Sequence, residues 1–400
     1  MAVRVNPVVR LALYFFVISI PFEMPERPLP LEVPTLTGLV ALLAGALLHP
    51  SVAFRRIPWA VRWFGIYLWI FLGIVVIGAN EHTGLSLRLF AHISQSALLL
   101  WMAFNLMADA RVVRGVLIAI VVSCTVRACL QWLGIGETAR AVYTGGERVT
   151  LFGQNANLSA IILSVGLVTV IGLHATRARW LPRAGLLAWP LAALMGIAII
   201  QTGSRGGLAC AAAGLLVLAF RGRTPARVAL NVVAGAIGIT ALIWGALQSD
   251  VMRARIELTT VSGDLAGREV IYPAGLAMFV ERPLLGWGPI DNQFEIARRI
   301  QDPHLPRRDA HNLVLELVTA TGIVGAVPFL IGLGLIVRAA WRARHGALGS
   351  LPLAMLATVF MGSVSGTWIA SKILWLSMAI ALAAGTHWVP VATQRLGGRG

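Results

Sequence analysis

Charge is what this chain has least of. Only 12% of its 400 residues are charged, 58% are hydrophobic, and mean hydropathy is +0.79. A water-soluble domain is about a quarter charged, so a soluble globular fold is excluded. Acids are fewer than bases, 17 Asp plus Glu against 33 Lys plus Arg, and lysine is almost missing: Lys372 is the single one. A net charge of +16 would ordinarily suggest a nucleic-acid partner. That class is excluded because the cations sit in short clusters between apolar runs. Cysteine is scarce too. Cys124, Cys129 and Cys210 all lie inside apolar runs, which fits neither a disulfide framework nor a metal motif. No period of 20–50 residues repeats, which argues against a solenoid. No inverted repeat is visible, which argues against the common secondary-transporter architectures. Pro21-Phe22-Glu23-Met24, after the first apolar run, is not a small-residue cleavage site, so that run reads as an uncleaved first span.

What the chain does have is long apolar runs. A helix needs ~20 apolar residues to cross the hydrocarbon core. On that rule spans are expected near 8–22, 34–49, 59–79, 87–107, 112–134, 156–175, 184–201, 206–221, 226–247, 318–338, 350–366 and 371–389. The expected fold is an all-α polytopic membrane protein, residues 1–400 forming a single integral membrane domain of about twelve transmembrane helices. Spans 34–49 and 206–221 are the weakest, one short and the other rich in small residues. Cytoplasmic loops are enriched in Lys and Arg. Threading from a cytoplasmic N-terminus puts Arg4 and Arg10, Arg55, Arg56 and Arg62, Arg111 and Arg114, Arg177, Arg179 and Arg183, Arg221, Arg223 and Arg227, Arg338, Arg342 and Arg344, and Arg395 and Arg399 inside. Every inside loop is then basic, and Asp109 is the one acid among them. Both termini are expected in the cytoplasm.

Between spans nine and ten lies the one long polar segment, 248–311, a large loop placed outside with short helices of its own. It carries Arg253, Arg255, Arg268, Arg282, Arg298, Arg299, Arg307 and Arg308. Two other outward segments hold Arg against the bias: Arg140 and Arg148 in 135–155, and Arg205 in Thr202-Gly203-Ser204-Arg205-Gly206-Gly207. Asp264, Glu269, Glu281, Asp291 and Asp309 accompany the long segment. Arg253, Arg255, Arg298 and Arg299 therefore read better as ordinary solvated surface. Arg127, inside span five, is costly in hydrocarbon and needs a partner or cavity. Apart from it little charge lies within the spans, which weakens a transporter reading. Arg88 and Lys372, at external span ends, fit snorkelling side chains.

Counting back ~20 residues from Arg338 puts the outer boundary near Leu317 or Val318, so His311 stands ~10 Å further out, at headgroup depth. Asp309 is the N-cap candidate, which would put His311 in the first turn of the helix. A helix N-terminus disfavours imidazolium, leaving a neutral imidazole available as a general base. A cap-region His with a purely structural hydrogen bond is the other reading. Arg205 opens a helix at the outer face. Flanking glycines and a guanidinium there make an anion site suited to phosphate, or a turn whose Arg reaches lipid headgroups. Arg268 opens a helix-like segment too short to span, closed by Arg282-Pro283. Trp287, Tyr272 and Phe294 could stack on sugars, or pack. In Phe152-Gly153-Gln154-Asn155-Ala156-Asn157, Asn155 and Asn157 offer amides at the outer face, or cap a helix.

Four of these stretches, in this order, resemble the O-antigen ligase family of membrane glycosyltransferases: Phe152–Asn157, Thr202–Gly206, Arg268 through Pro283 to Pro289, and Ala310-His311-Asn312 followed by Gly322. The resemblance implies transfer of a glycan from undecaprenyl pyrophosphate to an acceptor at the periplasmic face of the bacterial inner membrane. It implies pyrophosphate binding by Arg205 and Arg268, with Arg140 or Arg148 assisting, and activation of the acceptor hydroxyl by His311. Weaker sugar or acceptor contacts would fall to Trp287, Tyr272, Asn155 and Asn312. No cofactor or metal is expected. Ala156 stands where relatives often have Pro, a departure from the family pattern at that turn. Relatives that glycosylate proteins usually carry further external sequence after the last span. Lipid A–core is therefore the expected acceptor, with an O-antigen polymerase or a protein O-oligosaccharyltransferase as the alternatives.

Overall fold

The computed structural model describes residues 4–23, 32–78, 80–136, 148–176, 186–222, 224–263, 265–301 and 305–388. Among the described residues regular structure is helical throughout. In chain order the helices are α1 (Pro7–Ser19), α2 (Val33–Leu48), α3 (Pro50–Ala53), α4 (Trp59–Ile77), α5 (Thr83–Leu106), α6 (Ala110–Trp132), α7 (Ala156–Ala175), α8 (Ala188–Gln201), α9 (Arg205–Ala219), α10 (Pro225–Gln248), α11 (Asp250–Ser262), α12 (Arg268–Glu281), α13 (Asp291–Arg299), α14 (Leu313–Ala343), α15 (Leu351–Ser363) and α16 (Lys372–His387).

Six of them, α4, α5, α6, α7, α10 and α14, are long and apolar enough to cross a membrane. Six shorter apolar helices, Pro7–Phe22 (α1 with its 3-10 turn), α2, α8, α9, α15 and α16, stand where the remaining spans are expected. The polar segment folds as α11, α12 and α13. Large apolar side chains face outward around the bundle: Val8, Leu11 and Phe15 on α1, and Leu230, Val233, Ile237 and Trp244 on α10. Such faces are stable against lipid rather than water, and the chain is a membrane protein. The interior belongs to α7 and α16. Around them α15 packs on α9 and α7, and α14 on α4 and α16.

Helix starts follow from local chemistry. Asn6, Asp109, Asn155, Ser204, Thr224 and Asn312 each accept a first-turn N–H with their side chain, the usual N-cap bond. The costly interior charges are also partnered. Arg127 donates to the Pro21 carbonyl and to Ser159 Oγ (2.7 Å), and Ser159 donates on to Gln154 Oε1. Gln154 Nε2 donates to the Glu23 carbonyl. Lys372 is 2% exposed, with Glu23 at 3.0 Å and Glu32 at 3.4 Å. A snorkelling Lys372 is thus replaced by a buried ion pair. This polar chain ties the Phe152–Asn157 turn to the end of α1 and the start of α16.

A single break divides α14. At Gly322 the backbone adopts φ 62°, ψ −168°, and the helix kinks there. The loop between α12 and α13 fills the break. Trp287 and Gly288 donate their N–H groups to the Thr319 and Ala320 carbonyls (2.8 and 3.0 Å). Ile323 and Val324 donate to the Pro283 and Leu284 carbonyls (2.8 and 3.2 Å). Backbone groups that a broken helix would leave unsatisfied are thereby paired. The N-terminal part of α14 is aimed by α12 and its loop.

Candidate active site

The turn 202–207 is built from both ends of the chain around it. Ser204 caps α9, and its hydroxyl also donates to Asn157 Oδ1 (2.8 Å). Arg148 is buried. Its Nε donates to the Thr202 carbonyl (2.8 Å) and its Nη2 to the same Asn157 oxygen (2.9 Å). Asn155 caps α7, so the two asparagines divide their work: Asn155 starts the helix and Asn157 holds Arg148 and Ser204. Burial, with the neighbouring guanidiniums of Arg255 and Arg205, pulls the Arg148 pKa down to about 10. It stays a cation at neutral pH. Helix α11 lies over the same turn: Arg205 Nη1 donates to the Arg255 carbonyl (2.7 Å), and Val251 packs where a Cβ on Gly203 would stand.

Arg268 is the first residue of α12. Its Nη2 reaches the Ser365 carbonyl (2.7 Å) and its Nη1 the Leu265 carbonyl (2.8 Å), while its Nε is buried without a partner among the described residues. Ser365 also borders α9: a Cβ on Gly206 would stand 3.0 Å from its hydroxyl oxygen. The neighbouring Val364 carbonyl accepts from the Tyr272 hydroxyl (2.9 Å) and Asn312 Nδ2 (3.4 Å). The Tyr272 hydroxyl also lies 3.3 Å from the His311 carbonyl. The turn after α15 is therefore a hub touched by the start of α9, by Arg268, and by the residues around His311.

His311 is not in a helical turn. Asn312 is the N-cap of α14, accepting from the N–H groups of Val314 and Leu315, and His311 sits before it at φ 48°. Asp309, read from the sequence as the cap, instead meets His311 Nδ1 at 2.7 Å. Burial pushes the Asp309 carboxyl up, but its contact with His311 outweighs it and holds the group below the usual carboxylate range. Ionised Asp309 accepts a hydrogen bond from Nδ1–H, which leaves Nε2 as the acceptor. The strained backbone of His311 is held from below. Buried Glu316, one turn into α14, accepts the Ala310 N–H (2.8 Å) and Gln293 Nε2 (2.8 Å).

Of the residues read as sugar contacts, Tyr272 and Asn312 stand beside His311. Trp287 is engaged elsewhere: its Nε1 donates to the Met278 carbonyl, and Arg282 and Arg299 lie 4.0 and 4.9 Å from its ring centre. Arg299 and Arg298 pair with Glu295, and Arg299 also with Glu281, as a surface network. Arg140 falls outside the described residues. Asp309 in its pairing role, Glu316 and the Val364–Thr367 turn were not anticipated. An acid inside the apolar run after His311 was the signal available for Glu316.

Tyr272→Phe should remove about 1 kcal/mol of stability and, by loosening the loop, lower kcat roughly tenfold with KM nearly unchanged. An equal rise in KM, or no kinetic change, would assign Tyr272 to packing alone.

Residues 190–330 match the model of a family described as O-antigen ligase. Three of the four sequence stretches that carry the resemblance lie inside that match. No curated protein matches the chain.

Proposed function

With the O-antigen ligase family match over residues 190–330 as premise, we propose that the chain is a membrane glycosyltransferase. It moves a glycan from undecaprenyl pyrophosphate to a hydroxyl of lipid A–core at the periplasmic face of the inner membrane. Twelve crossings, both termini in the cytoplasm and a periplasmic 248–311 segment belong to the same proposal. The regular basicity of the loops left inside supports them.

The observation that supports the reading is the turn after α15. Arg268 donates to its Ser365 carbonyl, the start of α9 borders it at Gly206, and Tyr272 and Asn312, beside His311, donate to its Val364 carbonyl. Nε2 of His311 accepts the proton of the acceptor hydroxyl. The oxygen attacks the anomeric carbon of the donor, the bond to the pyrophosphate oxygen breaks, and undecaprenyl pyrophosphate leaves with inversion. Charge developing on the leaving group is stabilised by Arg205 and Arg268, with Arg148 behind them. Fixed guanidiniums of this kind supply the stabilisation a divalent cation would otherwise give, so transfer should persist in a chelator.

The test is transfer by purified protein, with lipid-linked donor, onto lipid A–core in the presence of a chelator. Arg205→Ala and Arg268→Ala should each lose roughly 100-fold or more while still inserting normally. Near-normal transfer by both would overturn the mechanism. Chain growth on the donor without core would favour the polymerase, and transfer to a protein acceptor the oligosaccharyltransferase. Substrate accumulation in proteoliposomes without glycan transfer would favour a transporter.

A further inference from the structure

Helix α11 is short and largely exposed, and among its described side chains Met252 and Arg255 are the two buried ones. An amphipathic helix normally buries apolar residues on its inner face. Here one of the two inward anchors is a guanidinium, 6% exposed. Arg253, two residues earlier, points the other way and pairs with Asp250. Arg255 stands one helical turn on from Val251, on the face of α11 that meets the turn 202–207, where Arg148 and Arg205 stand. The charges of Arg255 and Arg205 both act on Arg148. The helix is seated there by the Arg205–Arg255 hydrogen bond and by the contact between Gly203 and Val251.

We infer that Arg255 is a third guanidinium of the donor's anion site, and that Arg148, Arg205 and Arg255 together form a pocket for a diphosphate rather than a monophosphate. The inference rests on the glycosyltransferase reading above and deepens it. Three like charges brought together, with Arg148 and Arg255 buried and Arg205 partly so, repel one another, and a bound polyanion reverses that. Arginine suits the task because its planar fork makes paired bonds to phosphate oxygens. A single phosphate monoester spans one such fork. A diphosphate offers two phosphoryl groups and can engage guanidiniums from α9, α11 and the loop before α7 at once. Arg268, across the Ser365 turn, then meets the end of the leaving group nearest the sugar.

The experiment uses the full chain in detergent and follows thermal unfolding as inorganic pyrophosphate or inorganic phosphate is titrated at low ionic strength. Each variant is compared with its own anion-free baseline. Wild type should be stabilised by pyrophosphate at concentrations at least about tenfold below those needed for phosphate. Arg255→Met should raise the pyrophosphate concentration required by about tenfold or more. Arg255→Lys should recover part of the loss, since charge returns without the fork. Arg253→Ala, on the outer face, should match wild type. If Arg255→Met does not fold, Arg255→Lys and Arg255→Gln make the same comparison. Undiminished pyrophosphate binding in the Arg255 variants, with a loss in Arg205→Ala, overturns the inference and leaves the proposed function standing. No preference for pyrophosphate in wild type, or none lost in Arg205→Ala, overturns both.

Discussion

His311→Ala should reduce transfer by roughly 10³- to 10⁴-fold with little change in donor affinity, the loss expected for a positioned general base. The geometry makes a further, sharper expectation. Asp309 holds His311 Nδ1 at 2.7 Å, and nothing else among the described contacts orients the ring. Asp309→Asn keeps the shape but can present its amide to Nδ1 and favour the wrong tautomer. It should cost roughly 100-fold in kcat, less than loss of the imidazole. The pair also predicts a pH-dependent stability. Burial acts to raise the Asp309 carboxyl, but its His311 contacts prevail, and in the folded protein it titrates below its ordinary range. A depressed folded pKa contributes stability that is present above the unfolded value and lost as pH falls through the folded one. Wild type should therefore unfold at a higher temperature than Asp309→Asn at pH 7, and the gap should close as the medium is taken below the usual carboxylate range. Equal Tm values at neutral pH, with unchanged kcat, would show that Asp309 and His311 are neighbours without a working relationship.

Much of this arrangement was legible because charge stands out in an apolar chain. Arg205, Arg268 and His311 could be picked from the sequence on spacing from the membrane and on motif order. Arg255 could not be separated from Arg253 in that way. Both are arginines in one polar helix of 13 residues, and which one turns inward depends on the rotation of α11 against α9, a tertiary property. Asp309 and Asn312 posed a similar choice. Both are good caps, and local propensity cannot say which is used. The helix starts at Asn312 because His311 takes a left-handed conformation that the Ala310–Glu316 and Tyr272 contacts hold in place. Lys372 looked like a snorkelling cation because its partners, Glu23 and Glu32, are some 340 residues away along the chain. The expected spans found helices at their positions, but six of those helices run to only 10–17 residues. Polar turns and 3-10 ends consume residues that composition alone assigns to the crossing.

The break in α14 was the least visible feature, and it yields the largest expected loss of stability. A glycine inside an apolar run reads as a tolerated weak point, costing about 1 kcal/mol against alanine. At Gly322 the sign is reversed. Its φ of 62° with ψ of −168° lies in a region that only glycine occupies comfortably, and a side chain there costs about 1–3 kcal/mol in strain. A Cβ would also stand 2.1 Å from the Leu284 carbonyl oxygen, which is backbone and cannot simply rotate away. The loop would have to retreat, and the bonds from Ile323 and Val324 to Pro283 and Leu284 would be lost with it, at about 1 kcal/mol each or more where burial leaves the groups unsatisfied. Together Gly322→Ala should lose about 4 kcal/mol or more, a large part of the 5–15 kcal/mol that holds an ordinary domain. Gly334→Ala is the matched control in the same helix: nothing lies within 4 Å of its Cβ position, and it should be neutral or slightly stabilising. Function should follow the same division. The N-terminal part of α14 carries Glu316 and the Asn312 cap, so a loop that no longer grips the break no longer aims His311. Any Gly322→Ala protein that survives at low temperature should bind donor yet transfer slowly. Unfolding within about 0.5 kcal/mol of wild type would mean that the Pro283–Gly288 loop merely lies against the helix and does not hold its two parts at their angle.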